Sequence, residues 1–397
     1  MCDVEKEYPG LVSLELQGRI TERAEKTENL GSVPKESIQE LQEIGFLRLL
    51  HPEAFGGGQA DPVTFFSGVR DLSAVCGATG WVASLLGVHA WHLALFPIQA
   101  QEEVWGEDQS TLLCSSYAPT GDITRVDGGY MVTGRWSFSS GCEHARWALL
   151  GGTIMQDGHP VDLATFLLPL GDYEIDPVWD VVGLRGTGSH DVVVPNAFVP
   201  DHRVLSFRHT AVCRTPGQEL NKSPLYRIPW GSLFPYAVTT PLIGMATGAY
   251  RANVEHTRSR VRAVDRELST GKGKKAGEDP DIQLAVAESA CDLDASWLQL
   301  ERNFGHLMRM AEERTPIQTG LRTAVRRDQA SAARRSVLAV DRLFANAGGR
   351  ALKNGTPLQR LWRDVHAGNA HAYNDYGRIM RLFSRSEFGL SVQDPIL

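Results

Sequence analysis

Apolar positions along the chain recur with two different periods, and the period changes twice. In the first hundred residues Ile38, Leu41 and Ile44 repeat at helical spacing between Pro34 and a natural stop at Gly45. Asp61-Pro62 reads as an N-cap followed by proline at the first helical position, opening a helix through Val63, Phe66, Val69 and Leu72. Gly56-Gly57-Gly58 is the loop between these helices. From about Thr111 short β-prone runs take over: Tyr130-Met131-Val132, Ala148-Leu149-Leu150 and Val192-Val193-Val194. Turn signals at Asp127-Gly128-Gly129, Asp157-Gly158 and Pro195-Asn196 separate them. In the last third the helical period returns. Ile282, Val286, Ala290, Leu293, Trp297, Leu300, Phe304 and Leu307 step by three and four, as do Ala330, Ala333, Val337, Val340, Phe344 and Ala347. A polar loop, Gly271 to Gly277, precedes them. The order predicted is N-terminal helices over 1–110, an antiparallel β domain over 111–222, and a C-terminal four-helix bundle over 223–397: an α+β chain.

Two long stretches carry no Asp, Glu, Lys or Arg: Leu72 to Gln101 and Ile228 to Tyr250. A membrane span needs roughly 20 apolar residues. The first stretch holds Gly77, Gly80, Ser84, Gly87, His89, His92 and Pro97; the second holds Pro229, Pro235 and Pro241. Neither is apolar enough to span. Helices buried on all sides are expected, and they suit the walls of an apolar pocket with His89 and His92 as its rare polar groups.

Composition narrows the class. At 397 residues, 42% hydrophobic and 22% charged, the chain is globular, with length for two or three domains. Its net charge of −7 offers no footprint for a nucleic-acid backbone. The six cysteines, Cys2, Cys76, Cys114, Cys142, Cys213 and Cys291, include no CxxC pair. The charged start, Met1 to Glu7, has no apolar stretch typical of a secretory signal, so reduced thiols and a cytoplasmic location are expected.

Several common sites are absent from the sequence. Gly183-Leu184-Arg185-Gly186-Thr187-Gly188 has the wrong spacing for a dinucleotide fingerprint and stands outside any βαβ alternation. There is no Walker A sequence and no GxSxG elbow. His89 and His92 are close enough on a helix to share a metal, but no carboxylates cluster with them, and none is expected.

Four segments carry a resemblance. They are Cys114 to Pro119, Gly134 to Cys142 (GRWSFSSGC), Val182 to Ser189 (VGLRGTGS) and Leu361 to Gly368 (LWRDVHAG). With them the chain resembles the acyl-CoA dehydrogenase superfamily over nearly its whole length, and within it the two-component flavin-dependent monooxygenases that hydroxylate secosteroid phenols, indoles and polyketides. The resemblance implies an acyl-CoA dehydrogenase-like fold with a flavin ring between the β domain and the bundle. Ser116 and Tyr117 match positions lining the flavin, Phe138 an aromatic beside the ring, and Ser140 a hydroxyl near flavin N5, with Ser139 next to it. Read without the resemblance, Ser139-Ser140-Gly141 is simply a good turn. His366 follows Arg363-Asp364 on a helix that in the family ends over the active site. A histidine titrates near neutrality and can deprotonate a phenol; a surface or capping histidine is the other reading. His89 is a third catalytic candidate, or a core histidine with a backbone partner. Trp136 and Phe138 are candidates to tune the pocket, and His89 and Trp230 to wall it. Arg258 is the candidate for the flavin diphosphate, with Arg260 and Arg262 close by.

The resemblance also implies chemistry and partners. Reduced flavin, FADH2 with FMN as the other option, would come from a separate reductase and react with O2 to a C4a-hydroperoxyflavin that hydroxylates an electron-rich arene. Dryness is then essential. A homotetramer is implied as well. The alternative is an acyl-CoA dehydrogenase or oxidase. Against it, Ala370 to Asp375 (AHAYND) stands where acyl-CoA dehydrogenases with a catalytic glutamate carry a Tyr-Glu-Gly-Thr-like run.

Overall fold

The computed structural model describes residues 12–261, 275–394 and 397. The N-terminal charge pattern, Cys2, Arg262 and the first part of the Gly271 loop lie outside these residues. Five helices come first: α1 (Leu14–Leu30), α2 (Lys35–Glu43), α3 (Pro62–Val75), α4 (Gly77–Leu93) and α5 (Ile98–Trp105). Their ends follow local chemistry. The Asp61 carboxylate accepts the Val63 amide at 2.7 Å with Pro62 at the first helical position. The chain leaves α2 through Gly45 at φ 74°.

Every residue of α4 is buried, which is why its sequence carries no charge. Glycine lets its neighbours come close: a Cβ at Gly80 would stand 1.9 Å from the Ser73 hydroxyl of α3. Among the described residues, no helix is long and apolar enough to cross a membrane.

The middle of the chain is one seven-stranded sheet. Its strands are β1 (Leu113–Val126), β2 (Gly129–Ser139), β3 (Trp147–Gln156), β4 (His159–Pro169), β5 (Glu174–Asp176), β6 (His190–Pro200) and β7 (Val204–Ser206), in spatial order β5-β6-β2-β1-β3-β4-β7. The two hairpins fall on the predicted turns. Gly128 sits at φ 73° between β1 and β2, and Asp157 and Gly158 at φ 51° and 79° between β3 and β4, the positive pair a tight hairpin requires. The sheet is mixed, not wholly antiparallel, because β1 and β3 run parallel. The first half of β1 pairs with β3 and, past an irregularity between Ser116 and Gly121, the second half pairs with β2. That change of partner encloses a second core around Trp136, Cys114, Cys142, Phe166 and Val192. Trp136 is fully buried there, its indole donating to the Gly151 carbonyl at 2.8 Å, so it is a sheet-core residue and does not line a pocket.

After the sheet come α6 (Phe207–Ala211), α7 (Trp230–Ser259), α8 (Pro280–Glu312), α9 (Thr319–Ala345), α10 (Pro357–Asn369) and α11 (Tyr376–Glu387). Helix α7 runs through Pro235 and Pro241. A proline inside a helix frees the carbonyl four residues back. For Pro241 that carbonyl is Ala237, and it accepts the Ser84 hydroxyl of α4 at 2.7 Å. The buried line of α8 runs through Ile282, Ala285, Ser289, Ser296, Leu300, Phe304 and Leu307, with Val286, Leu293 and Trp297 half-buried at its flank. The stripe is thus rotated from the apolar one, because small residues let α8 and α9 approach. Ser289 satisfies itself on the Ala285 carbonyl at 2.7 Å.

Candidate active site

Strand β2 ends where the backbone turns over. Phe138 lies in the left-handed region at φ 68°, a conformation costing a bulky side chain on the order of 1 kcal/mol, and its ring is 69% exposed. The Ser140 amide donates to the Phe138 carbonyl at 2.9 Å, and the Gly141 amide to the Thr187 carbonyl at 2.9 Å. This turn buries Ser140 and leads its hydroxyl to two partners, the Trp81 indole N–H at 3.1 Å and the Ser189 hydroxyl at 2.7 Å. Ser189 in turn lies 2.6 Å from the Thr187 hydroxyl, which donates to the Leu184 carbonyl at 2.8 Å. Ser140 is therefore one member of a hydroxyl chain, and not an isolated turn serine.

The other expected residues spread around this point. Ser116 is buried and donates its hydroxyl to the Ser137 carbonyl at 2.8 Å, tying β1 to β2 beside Phe138. Ser139 is fully buried, and its hydroxyl has no hydrogen-bond partner among the described residues. The Tyr117 hydroxyl meets His92 Nδ1 at 2.7 Å, and its ring stands edge-on to Trp230 and Phe234 with centroids 5.1 and 4.9 Å away. His89 has both nitrogens engaged. The Leu113 carbonyl can only accept, so Nδ1 carries the hydrogen given to it at 2.7 Å, and Nε2 accepts from the Ser115 hydroxyl at 2.7 Å. Burial pushes the His89 pKa down to about 4, so it is neutral. This is the arrangement of a core histidine that ties α4 to β1. Arg258 is 69% exposed at the end of α7, 3.6 Å from Glu255. The Arg260 guanidinium is held by the Asn346 carbonyl at 2.8 Å.

His366 does not join the Ser140 group. Its Nδ1 lies 2.8 Å from the Trp362 carbonyl and its Nε2 3.3 Å from Asp341 on α9, and its ring packs on Trp362, partly open to solvent. His371, five residues on and past the end of α10, is the histidine that approaches. Its ring centroid is 6.0 Å from Trp81, the residue that donates to Ser140, and 5.2 Å from Tyr373. The Tyr373 amide donates to His371 Nδ1 at 3.2 Å, which leaves the hydrogen of the neutral ring on Nε2. Burial lowers the His371 pKa to about 4, with the Arg326 cation adding to the effect.

Of the rest of the wall, the sequence singled out His89, His92 and Trp230, but not Trp81, Phe207, Phe234 or Tyr373. Trp81, His89 and His92 fall within about 80° of one another on α4. Across from them, Trp230 stacks on Phe234 at 4.5 Å, and Phe207 and Tyr373 stand edge-on to Trp230. His92 Nε2 is buried without a partner among the described residues, as is the Trp230 indole N–H. Burial holds His92 well below the usual histidine range. The site is thus apolar, aromatic and short of charge, with a few unpaired polar atoms.

The residues fit a flavin. An exposed aromatic ring held at a left-handed turn, an unpartnered buried hydroxyl at Ser139 and the Ser140 oxygen suit a flat heteroaromatic ring with a polar edge.

Comparison with known proteins agrees. Residues 12–108 match the family model "Acyl-CoA dehydrogenase, N-terminal domain" and residues 236–376 match "Acyl-CoA dehydrogenase, C-terminal domain". The chain belongs to the acyl-CoA dehydrogenase family. It is 50% identical over 380 residues, 95% of this chain and 97% of the other, to the flavin-dependent monooxygenase oxygenase subunit HsaA of Rhodococcus jostii. The Mycobacterium tuberculosis HsaA is 48% identical over 95% of this chain and 94% of its own length. The crystal structure of 3-HSA hydroxylase from Rhodococcus sp. RHA1 superposes with a TM-score of 0.92 at 49% identity, covering 96% of this chain and 97% of that one. Farther off are the FADH2-dependent resorcinol hydroxylase oxygenase component of a Rhizobium, 36% identical over 92% of this chain and 90% of its own length, and Streptomyces XiaF in complex with FADH2 and glycerol. XiaF has a TM-score of 0.84 at 26% identity, over 96% of this chain and 98% of its own. Within the acyl-CoA dehydrogenase family, this chain belongs with the oxygenase components of flavin-dependent monooxygenases that hydroxylate aromatic compounds.

Proposed function

We propose that this chain takes reduced FAD from a separate reductase and hydroxylates a phenol of the secosteroid type, with FMN and indoles as the less favoured cofactor and substrate. The observation that carries the reading is the half-identity to HsaA over 95% of the chain. A buried aromatic wall that contains a histidine nitrogen without a partner among the described residues supports it.

When bound, reduced flavin supplies two electrons to O2, so that one oxygen atom enters the arene and the other leaves as water. The chain supplies the surroundings. Ser116, Tyr117 and Ser139 would line the ring, Phe138 would lie beside it, and Ser140 would stand near its N5. His92 Nε2 would receive the phenol hydroxyl, since it is buried beside Tyr117 and Trp230 with no partner among the described residues. His371, in preference to His366, is placed to donate a hydrogen bond into the site, because it lies against Trp81 with its Nε2–H to offer. His89 acts by holding α4 on β1. Trp230, Phe234 and Tyr373 keep water out. Arg258 is the candidate for the flavin tail because its guanidinium is exposed, whereas that of Arg260 is taken by Asn346.

Assembly as a homotetramer is supported by apolar side chains left outward on the late helices, among them Leu284, Leu298 and Leu338. The five described cysteines are free thiols, which suits a cytoplasmic enzyme.

The test supplies the chain with reduced FAD or reduced FMN, oxygen and a panel of phenols and indoles. A hydroxylated phenol formed in proportion to oxygen uptake is expected. Hydrogen peroxide alone, with every substrate, overturns the reading.

A further inference from the structure

The hydroxyl chain behind Ser140 has a fixed direction. Three groups reach the Leu184 carbonyl: the Thr187 amide at 3.1 Å, the Trp179 indole N–H at 3.0 Å and the Thr187 hydroxyl at 2.8 Å. A carbonyl only accepts, so the single Thr187 hydroxyl hydrogen is spent there. Thr187 must then accept from Ser189 at 2.6 Å. With its hydrogen given to Thr187, Ser189 must accept from Ser140 at 2.7 Å. One of the two Ser140 lone pairs takes the Trp81 indole hydrogen at 3.1 Å. What Ser140 has left is one lone pair and no hydrogen.

The start of the chain is anchored. The Leu184 amide donates to the buried Asp364 carboxylate at 2.6 Å, which holds Leu184 at φ 53° and fixes its carbonyl. Thr187 and Ser189 are 1% and 4% exposed, so bulk solvent does not reach their hydrogens.

We propose that Thr187 and Ser189 are positioning residues that make Ser140 an obligate hydrogen-bond acceptor, so that the site selects reduced flavin, whose N5 bears a hydrogen, over oxidised flavin, whose N5 bears only a lone pair. The proposal rests on the flavin reading above. Against reduced flavin the Ser140 oxygen meets a donor. Against oxidised flavin two lone pairs face each other, and the Ser140 hydrogen turns outward only by breaking its bond to Ser189. The relay thereby discriminates the form a reductase delivers from the form left after turnover, and it does so with neutral groups.

The test is equilibrium binding of reduced FAD, without oxygen, and of oxidised FAD to the full chain, read by flavin absorbance and fluorescence. Native protein should bind the reduced form more tightly. Thr187→Val removes the acceptor for Ser189, and Ser189→Ala removes the acceptor for Ser140. Each frees the Ser140 hydrogen to face N5. The ratio of the two dissociation constants should fall roughly tenfold in either variant, the equivalent of one hydrogen bond. Thr187→Ser, which keeps the hydroxyl, should restore it to within about twofold of native. Should Thr187→Val fail to fold, Ser189→Ala decides alone. If both constants rise together and the ratio stands unchanged, the two residues only support the fold and the proposal fails. Equal affinity of native protein for both forms overturns the proposal and leaves the flavin reading intact. Binding of neither form overturns both.

Discussion

Asp364 on α10 accepts the amide of Leu184, 180 residues earlier in the chain, at 2.6 Å. Around this contact the bundle meets the turn that carries Thr187 and Ser189. A Cβ on Gly183 would stand 2.2 Å from the Arg363 carbonyl, and one on Gly77 2.8 Å from the second Asp364 oxygen. Both approaches require glycine. Arg363 adds an ion pair to Glu28 of α1 at 2.6 Å, so the LWRD segment joins three parts of the molecule at one point.

Asp364 should therefore respond to pH in a distinctive way. Burial, the largest cause, raises its pKa from 3.8 to about 6, against the lowering by the Leu184 amide and nearby arginines. A carboxyl with a raised folded pKa contributes stability that is full below the unfolded value and is lost as pH rises through about 6. Asp364→Asn keeps an oxygen for Leu184 and cannot ionise. Urea denaturation at pH 5 and pH 8 should show the variant gaining on the native protein at the higher pH. Asp364→Ala, which strands the Leu184 amide, should lose about 1–3 kcal/mol at both.

The buried histidines act in the opposite sense. Burial lowers His89 and His371 to about 4 and His51 to about 3, and holds His92 well down. Their stabilising contribution is present above the unfolded value near 6.5 and is lost as pH falls through those folded values. Four such groups outweigh Asp364 in the shared window. Unfolding near pH 5.5 should take up about two to three protons, read from the slope of unfolding free energy against pH. A flat slope would mean that these rings are already protonated in the native state.

The two late histidines separate in function. His371→Ala should leave flavin binding within about twofold and lower hydroxylated product per oxygen consumed roughly tenfold, the scale of losing one hydrogen bond to the reacting groups. His366→Ala should leave that ratio unchanged and lower the melting temperature, since it removes a ring packed on Trp362 and a partner of Asp341. Product coupling that depends on His366 and not on His371 would reverse the assignment.

What was legible follows from how far each signal reaches along the chain. The capped helices, the glycine turns and the uncharged buried helices are written in local chemistry, and the residues from Ser116 to Ser140 stand out by resemblance. The parallel pairing of β1 with β3 has no local signal, because hairpin turns report only neighbouring strands. His371 stood out only as part of the Ala370 to Asp375 run, because α10 ends at Asn369 and no helical period carries on to it. Thr187 and Ser189 sit in a segment that looks like a failed dinucleotide fingerprint. Its glycines serve close packing: a Cβ at Gly186 would stand 2.5 Å from the Thr27 side chain. Only the tertiary fold brings their hydroxyls to Ser140, 47 and 49 residues upstream.

The contact between Ser84 and Ala237 gives a prediction that links the helix walls to the reaction. Helix α4 carries Trp81, His89 and His92, and α7 carries Trp230 and Phe234, so their spacing sets the site. Pro241 leaves the Ala237 carbonyl without its helical partner, and Ser84 is the donor that replaces it at 2.7 Å. Ser84→Ala should destabilise the protein by about 1–3 kcal/mol, because a buried carbonyl loses its hydrogen bond. Pro241→Ala returns an amide hydrogen at the position from which helices satisfy that carbonyl. The double variant should then lose less than Ser84→Ala alone, a coupling that a double-mutant cycle in urea measures directly. Ser84→Ala should also release more hydrogen peroxide per oxygen consumed, as the walls loosen and water enters. Additive losses in the cycle would show that the serine holds α4 for some reason other than the proline.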